Sequence, residues 1–315
     1  MAATDTEGQL RWETRQRPAA AIASAAAALL IVGSGLATAY TFRDAPLTGV
    51  LDSLARTVEP GDVGRLESLR VPAYQFYDDR ALGVIATSFA RAAGFVAVAF
   101  MLTYLGSAVR ARSTVFRRTW IYVALAGGVL GALATLIYTI IHTARIDAFL
   151  DGPHTVDLAL DIDDNSLVVT SQLIGIPGTQ ALGLSSMALG LGWVVVCLNA
   201  MRVGLLTRFM GVLGVICGVF VVLPILGPLP IVQTFWLGAM AAMLAGRWPR
   251  GMPPAWQTGR AEPWPSQQSL RAARGGKAPP EPEPEAPEEP AQVPAAAPAG
   301  RAHPSSKKKK RKRRN

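Results

Sequence analysis

Residues 110–141 read RARSTVFRRTWIYVALAGGVLGALATLIYTII. Arg110, Arg112, Arg117 and Arg118 stand just ahead of an apolar run, Trp120 to Ile141, that carries no charge. A helix rises about 1.5 Å per residue, so roughly 20 apolar residues cross a hydrocarbon core ~30 Å thick. Basic residues packed against such a run are a membrane topology signal, because translocating Lys and Arg is disfavoured.

The same pattern recurs on both sides of this stretch. Uncharged runs extend over Ala19–Tyr40, Ala92–Val109, Thr179–Ala200, Phe209–Leu226 and Leu229–Ala245. Gly227, Pro228 and Pro230 crowd the junction of the last two, which predicts a tight hairpin between short helices. The chain is 50% hydrophobic and only 17% charged, with the charges crowded between the runs. This segregation predicts an all-α polytopic membrane bundle of about six transmembrane helices, followed by a disordered cytoplasmic tail.

Charge then orients the bundle. With the N-terminal segment 1–18, the 110–118 and 202–208 loops and the segment from Arg247 on one side, that side holds 24 of the 31 Lys and Arg. Loops 42–80 and 143–172 fall on the other side with 13 of the 22 acids. The short-loop arginines place both termini in the cytoplasm and those two loops outside. The first run is longer than a signal-peptide core and ends in Tyr40 and Phe42, which resemble interface anchors. It reads as a retained helix.

Small residues recur four apart in three runs, as Gly127 with Gly131, Ser186 with Gly190, and Gly214 with Gly218. They read as close helix packing within the chain. Cys197 and Cys217 both fall inside spans and read as small packing residues.

In the first external loop, Leu47, Val50, Leu51, Leu54 and Val58 share a helical face ended by Pro60. A short turn is expected over Asp62–Leu69, with Asp62 as N-cap. The second external loop alternates Val156, Leu158, Leu160 and Ile162 with Asp157, Asp161 and Asp163. That period of two predicts a β-hairpin turning at Asp164, Asn165 and Ser166. Asp161, Asp163 and Asn165 imitate a calcium loop, but Ser166 and Gln172 replace its glycine and its glutamate, so the acids read as a solvated face.

From residue 246 onward proline and glutamate dominate, and the 246–315 segment reads as disordered. Trp256 and Trp264 are candidates for docking at the interface. The chain finishes with Lys307, Lys308, Lys309, Lys310, Arg311, Lys312, Arg313 and Arg314. Such a run suits anionic lipid headgroups, nucleic acid or a protein partner, and Glu281, Glu283, Glu285, Glu288 and Glu289 offer an internal alternative.

No HExxH, G-x-S-x-G or P-loop pattern occurs, and the three histidines lack metal-ligand spacing, so no catalytic residue, cofactor or metal is expected. Arg91 is the one charge next to a span. If its helix begins at Ala81, Arg91 lies within it and becomes a candidate for an anion pathway; if at Ala92, it marks the outer boundary and snorkels. Pro177, between Gly175 and Gly178, breaks the approach to the fourth span; with no matching break elsewhere it reads first as an interfacial bend, and it is the second pathway candidate.

The stretches Asn199-Ala-Met-Arg-Val-Gly-Leu-Leu-Thr-Arg-Phe-Met-Gly-Val-Leu-Gly and Gly246-Arg-Trp-Pro-Arg-Gly-Met-Pro-Pro-Ala-Trp-Gln-Thr-Gly-Arg-Ala-Glu-Pro-Trp-Pro-Ser resemble a group of uncharacterised multi-pass membrane proteins of high-GC Gram-positive bacteria that also end in a Lys/Arg cluster. The resemblance implies a plasma membrane and brings no activity or site residue. The sequence therefore suggests a non-enzymatic envelope scaffold or assembly factor, with a transporter or channel for a neutral or anionic solute as the alternative.

Overall fold

The computed structural model describes residues 6–46, 63–223, 230–249 and 251–263. They form helices throughout: α1 Thr6–Thr41, α2 Val71–Asp78, α3 Ala81–Arg112, α4 Thr119–Leu150, α5 Val156–Ile174, α6 Ala181–Arg202, α7 Arg208–Val222, α8 Ile231–Leu244 and the single turn α9 Ala255–Thr258. Of these, α1, α3, α4 and α6 are long and apolar enough to cross a membrane, while α7 and α8 are shorter apolar helices. The chain is a helical membrane bundle.

At 15 and 14 residues, α7 and α8 cover about 20 Å each. Residues 224–229, where the Gly/Pro hairpin is expected, lie outside the described residues, as do the 47–58 face, Asp62, Trp264 and the basic cluster 307–314.

The bundle is packed by its small residues. A Cβ on Gly127 would collide with the Leu189 backbone nitrogen, and one on Gly190 would stand 2.6 Å from the Gly218 carbonyl oxygen. These approaches draw α4 onto α6 and α6 onto α7, as the four-residue spacings anticipate. Cys197 and Cys217 are free and buried in the same core. Large apolar side chains such as Leu29, Phe89, Leu133, Phe209 and Phe235 point outward, as they do on a surface that meets lipid.

The long helices overrun the bilayer. Helices α3 and α4 have 32 residues each, about 48 Å, against the ~30 Å a core requires. Their surplus lies at the end away from Arg110. There α2 and α5 pack on it around a second, separate core of Val71, Tyr74, Ile146, Phe149, Ala159 and Ile162. Tyr74 meets Phe149 edge-on at 5.4 Å and donates to the Ala159 carbonyl at 3.1 Å. Pro72, at the start of α2, fixes φ where a helix needs it and lacks only an N–H that would have had no helical partner.

Here the β-hairpin expectation fails, because residues 156–174 form one helix. The alternation that suggested strands spans only a few residues. The residues that are actually buried, Ala159, Ile162, Ser166 and Thr170, are spaced three and four apart, while Leu158 and Leu160 remain exposed. Asp157 in the first turn favours the positive helix start, and Gly175 closes the helix in the left-handed conformation at φ +81°. The single extended contact nearby is an isolated bridge between Glu67 and Thr155.

Candidate functional site

Two polar regions stand at opposite ends of the bundle. The first, at the basic end, is closed. Glu13 of α1 and Arg112 of α3 form an ion pair in which both side chains are fully buried. The guanidinium engages both carboxylate oxygens, with Nη2 donating to Oε2 at 2.8 Å. Its remaining hydrogens go to the Ala255 carbonyl, from Nε at 3.1 Å and Nη2 at 2.8 Å, and to the Ala108 carbonyl at 2.9 Å. Gln9 donates to Glu13 at 2.9 Å. A buried pair is tolerated when its leftover bonding capacity is met in this way.

The Ala255 carbonyl is available because the chain after α8 folds back over this end. Trp256 is 2% exposed, lies parallel to Tyr104 at 5.8 Å and donates to the Leu205 carbonyl at 2.9 Å. The guanidinium carbons of Arg17 and Arg112 each stand 5.6 Å from the Trp256 ring centre. The Glu262 N–H donates to the Val203 carbonyl at 3.1 Å. The 199–214 and 246–263 stretches are thus in contact with each other, and the packed part of the chain continues through Glu262 instead of ending at 246. Trp256 docks into protein, beyond the interfacial contact expected of it.

The second region, at the acidic end, is open. A cavity of about 360 Å³ lies between α1, α2, α3, α4 and α6. Hydroxyls of Thr38, Thr87, Ser88, Thr135 and Thr139 line it, with Tyr77, Tyr138, His142 and Arg91; Phe42, Val84 and Leu182 form its apolar wall. Ser88 and Thr139 share a hydrogen bond at 2.8 Å. Tyr138 stacks on His142 at 5.2 Å, and Tyr77 meets the same ring edge-on at 5.5 Å. Burial pushes the Tyr77 phenol above its ordinary pKa, partly offset by its contact with Thr143, so it stays a neutral hydrogen-bonding group.

Arg91 has one hydrogen bond, from Nη2 to Thr38 Oγ1 at 3.4 Å, and no carboxylate pairs with it among the described residues. Asp163, an acid of this end, faces Arg70 and His142, each at 3.6 Å. The His142 Nδ1 is buried and lacks a hydrogen-bond partner.

Of the two starting points for the Arg91 helix, the structure has Ala81 and not Ala92, so Arg91 stands inside the helix. It precedes Arg110 by about 28 Å of helix, a distance comparable with the thickness of a hydrocarbon core. Pro177 lies in the exposed α5–α6 connector and does not line the cavity, so the two pathway candidates are not brought together. Beneath the cavity the core closes, with Gly94 against Ile31 and Gly128 against Ala99.

Sequence reasoning missed Glu13 as a buried partner and missed the hydroxyl lining. Only the parallel recurrence of Thr87, Ser88 and Arg91 on one run and Thr135, Thr139 and His142 on another hinted at the lining. Among the described residues, no group of three or more His, Cys, Asp or Glu is placed to hold a metal ion. No protein-family model, curated protein or solved structure matches the chain.

Proposed function

We propose that this chain is a non-enzymatic scaffold or assembly factor of a bacterial plasma membrane, with six spans and both termini in the cytoplasm. The observation that carries the reading is the folded cap at the acidic end. Helix α4 runs well beyond a bilayer's length and, with α2 and α5, builds a second hydrophobic core at that end. A cap with its own core above a tightly packed bundle suits presentation of a surface to partners. The charge asymmetry supports the orientation, since the short-loop arginines would face the cytoplasm. The polybasic run would then meet anionic headgroups of the inner leaflet or an anionic partner.

The exposed face of α5, with Leu160, Asp161 and Asp164, is the partner surface on this reading. The test is in-cell cross-linking and identification of partners for the intact protein, for Asp161→Asn/Asp164→Asn and for a chain ending at Trp264. Loss of defined partners in either variant supports the scaffold. An unchanged partner set in both contradicts it, and solute flux by the purified protein in liposomes would replace it with the transporter alternative.

A further inference from the structure

We infer that the acidic-end cavity is a binding site for a single phosphate or carboxylate group carried on a short apolar moiety, with Arg91 as the charge partner. This site is separate from the α5 surface of the scaffold reading, and each can fail alone.

A guanidinium at a bilayer boundary is normally paired, hydrated or placed to reach headgroups, since desolvating an unpaired charge is expensive. The contrast within this molecule is direct. Arg112 is fully buried and engages a carboxylate and two backbone carbonyls, whereas Arg91 is exposed beside the cavity and has one long bond to a hydroxyl. Arg91 therefore keeps most of its five donors unused, and they line a cavity large enough for a small ligand.

The surroundings favour an anion. Hydroxyls of Ser88 and Thr139 already touch each other at 2.8 Å, and a hydroxyl pair can turn one O–H toward an acceptor. His142 lines the same cavity, with its Nδ1 turned toward Asp163 at 3.6 Å. Asp163, which faces His142, also stands 3.6 Å from Arg70. Phe42, Val84 and Leu182 would hold an apolar attachment.

Two sources supply such a group: the phosphate of a lipid headgroup reaching in from the bilayer boundary, or a free anion from the aqueous side. A neighbouring cavity of about 390 Å³, lined by Tyr40, Arg43 and Arg80, extends the basic surface along the same α1–α3 groove. Arg43 is paired with Asp44 there at 2.8 Å, and Arg80 lies over the Phe76 ring, so Arg91 remains the one of the three without a close partner.

The full chain would be purified into phosphatidylcholine nanodiscs and titrated with inorganic phosphate and with glycerol 3-phosphate, following the thermal midpoint and the heat of binding. In parallel, nanodiscs containing phosphatidylglycerol would be compared with phosphatidylcholine alone, counting retained lipids by native mass spectrometry. Arg91→Ala, Arg91→Lys and Arg145→Ala would be run throughout. A saturable soluble-anion signal that weakens roughly tenfold or more in Arg91→Ala, is partly kept by Arg91→Lys and is untouched in Arg145→Ala identifies a free-anion site. Loss of one retained phosphatidylglycerol in Arg91→Ala, without a soluble-anion signal, identifies a headgroup site. Equal behaviour of Arg91→Ala and the unaltered chain in both arms, given a folded Arg91→Ala protein by its thermal transition, overturns the inference.

Discussion

Arg112 and Arg91 lie on the same helix, about 30 Å apart, and are treated in opposite ways. At the basic end Arg112 is dry, held by Glu13 and capped by the returning segment around Ala255 and Trp256. At the acidic end Arg91 opens onto a cavity and has almost no protein partner. A buried charge with every hydrogen bond met serves architecture, because it fixes which elements come together. A charge left unmet at a cavity is held ready for something outside the chain. The difference separates the part of the molecule that maintains the fold from the part that is free to bind.

The contrast between the two arginines predicts its largest effect at Glu13. Glu13→Ala leaves Arg112 charged and unpaired in a closed site and should lower stability by about 4 kcal/mol, read as a large fall in thermal midpoint in detergent or nanodiscs. Replacing both Glu13 and Arg112 with Met should recover much of that loss, since removing a buried pair together is far less harmful than orphaning one member. If the double variant is no better than the single one, the pair does more than join α1 to α3. Trp256→Ala should cost roughly 3 kcal/mol by emptying the stack on Tyr104 and freeing the Leu205 carbonyl. Truncation after Trp264 should leave the midpoint unchanged, which separates the packed return from the residues beyond it.

Within the bundle, Gly127→Ala forces a Cβ against the α6 backbone and should cost about 1–3 kcal/mol, measured in the same unfolding assay. Among the substitutions, the smallest effect should come from Arg91→Ala, within about 0.5 kcal/mol, because one long hydrogen bond is all the chain loses. A large loss there would show that Arg91 is structural after all and would remove the contrast with Arg112.

The membrane bundle was legible in the sequence because a bilayer imposes length and composition, and the run from Trp120 to Ile141 carries both. Close packing through Gly127, Gly190 and Gly218 was legible for a similar reason: only small residues let helix backbones touch. The acidic end was less so. Leu158 and Leu160 alternate with acids as a strand would, yet burial at Ala159 and Ile162 follows the helix. Over so few residues the two periods cannot be told apart without knowing which side is covered. The Glu13–Arg112 pair was illegible because nothing local distinguishes a buried glutamate from the exposed Glu7 six residues earlier. Its burial depends on a segment more than two hundred residues away. The Arg91 cavity was half legible, since the residue stood out but its hydroxyl neighbours on α1 and α4 did not.

Above all, the Arg91 cavity should open to one face of the membrane and be sealed from the other. The most direct test is single-cysteine labelling with a membrane-impermeant thiol reagent, in a chain carrying Cys197→Ala and Cys217→Ala, in vesicles of both orientations. Asp161→Cys marks the acidic face and Ser107→Cys the basic one. Ser88→Cys should label only from the face that labels Asp161→Cys, and more slowly after Arg91→Ala removes the polar mouth. Labelling of Ser88→Cys from both faces would mean a continuous path through the bundle, and labelling from neither would mean a closed cavity; each contradicts the account.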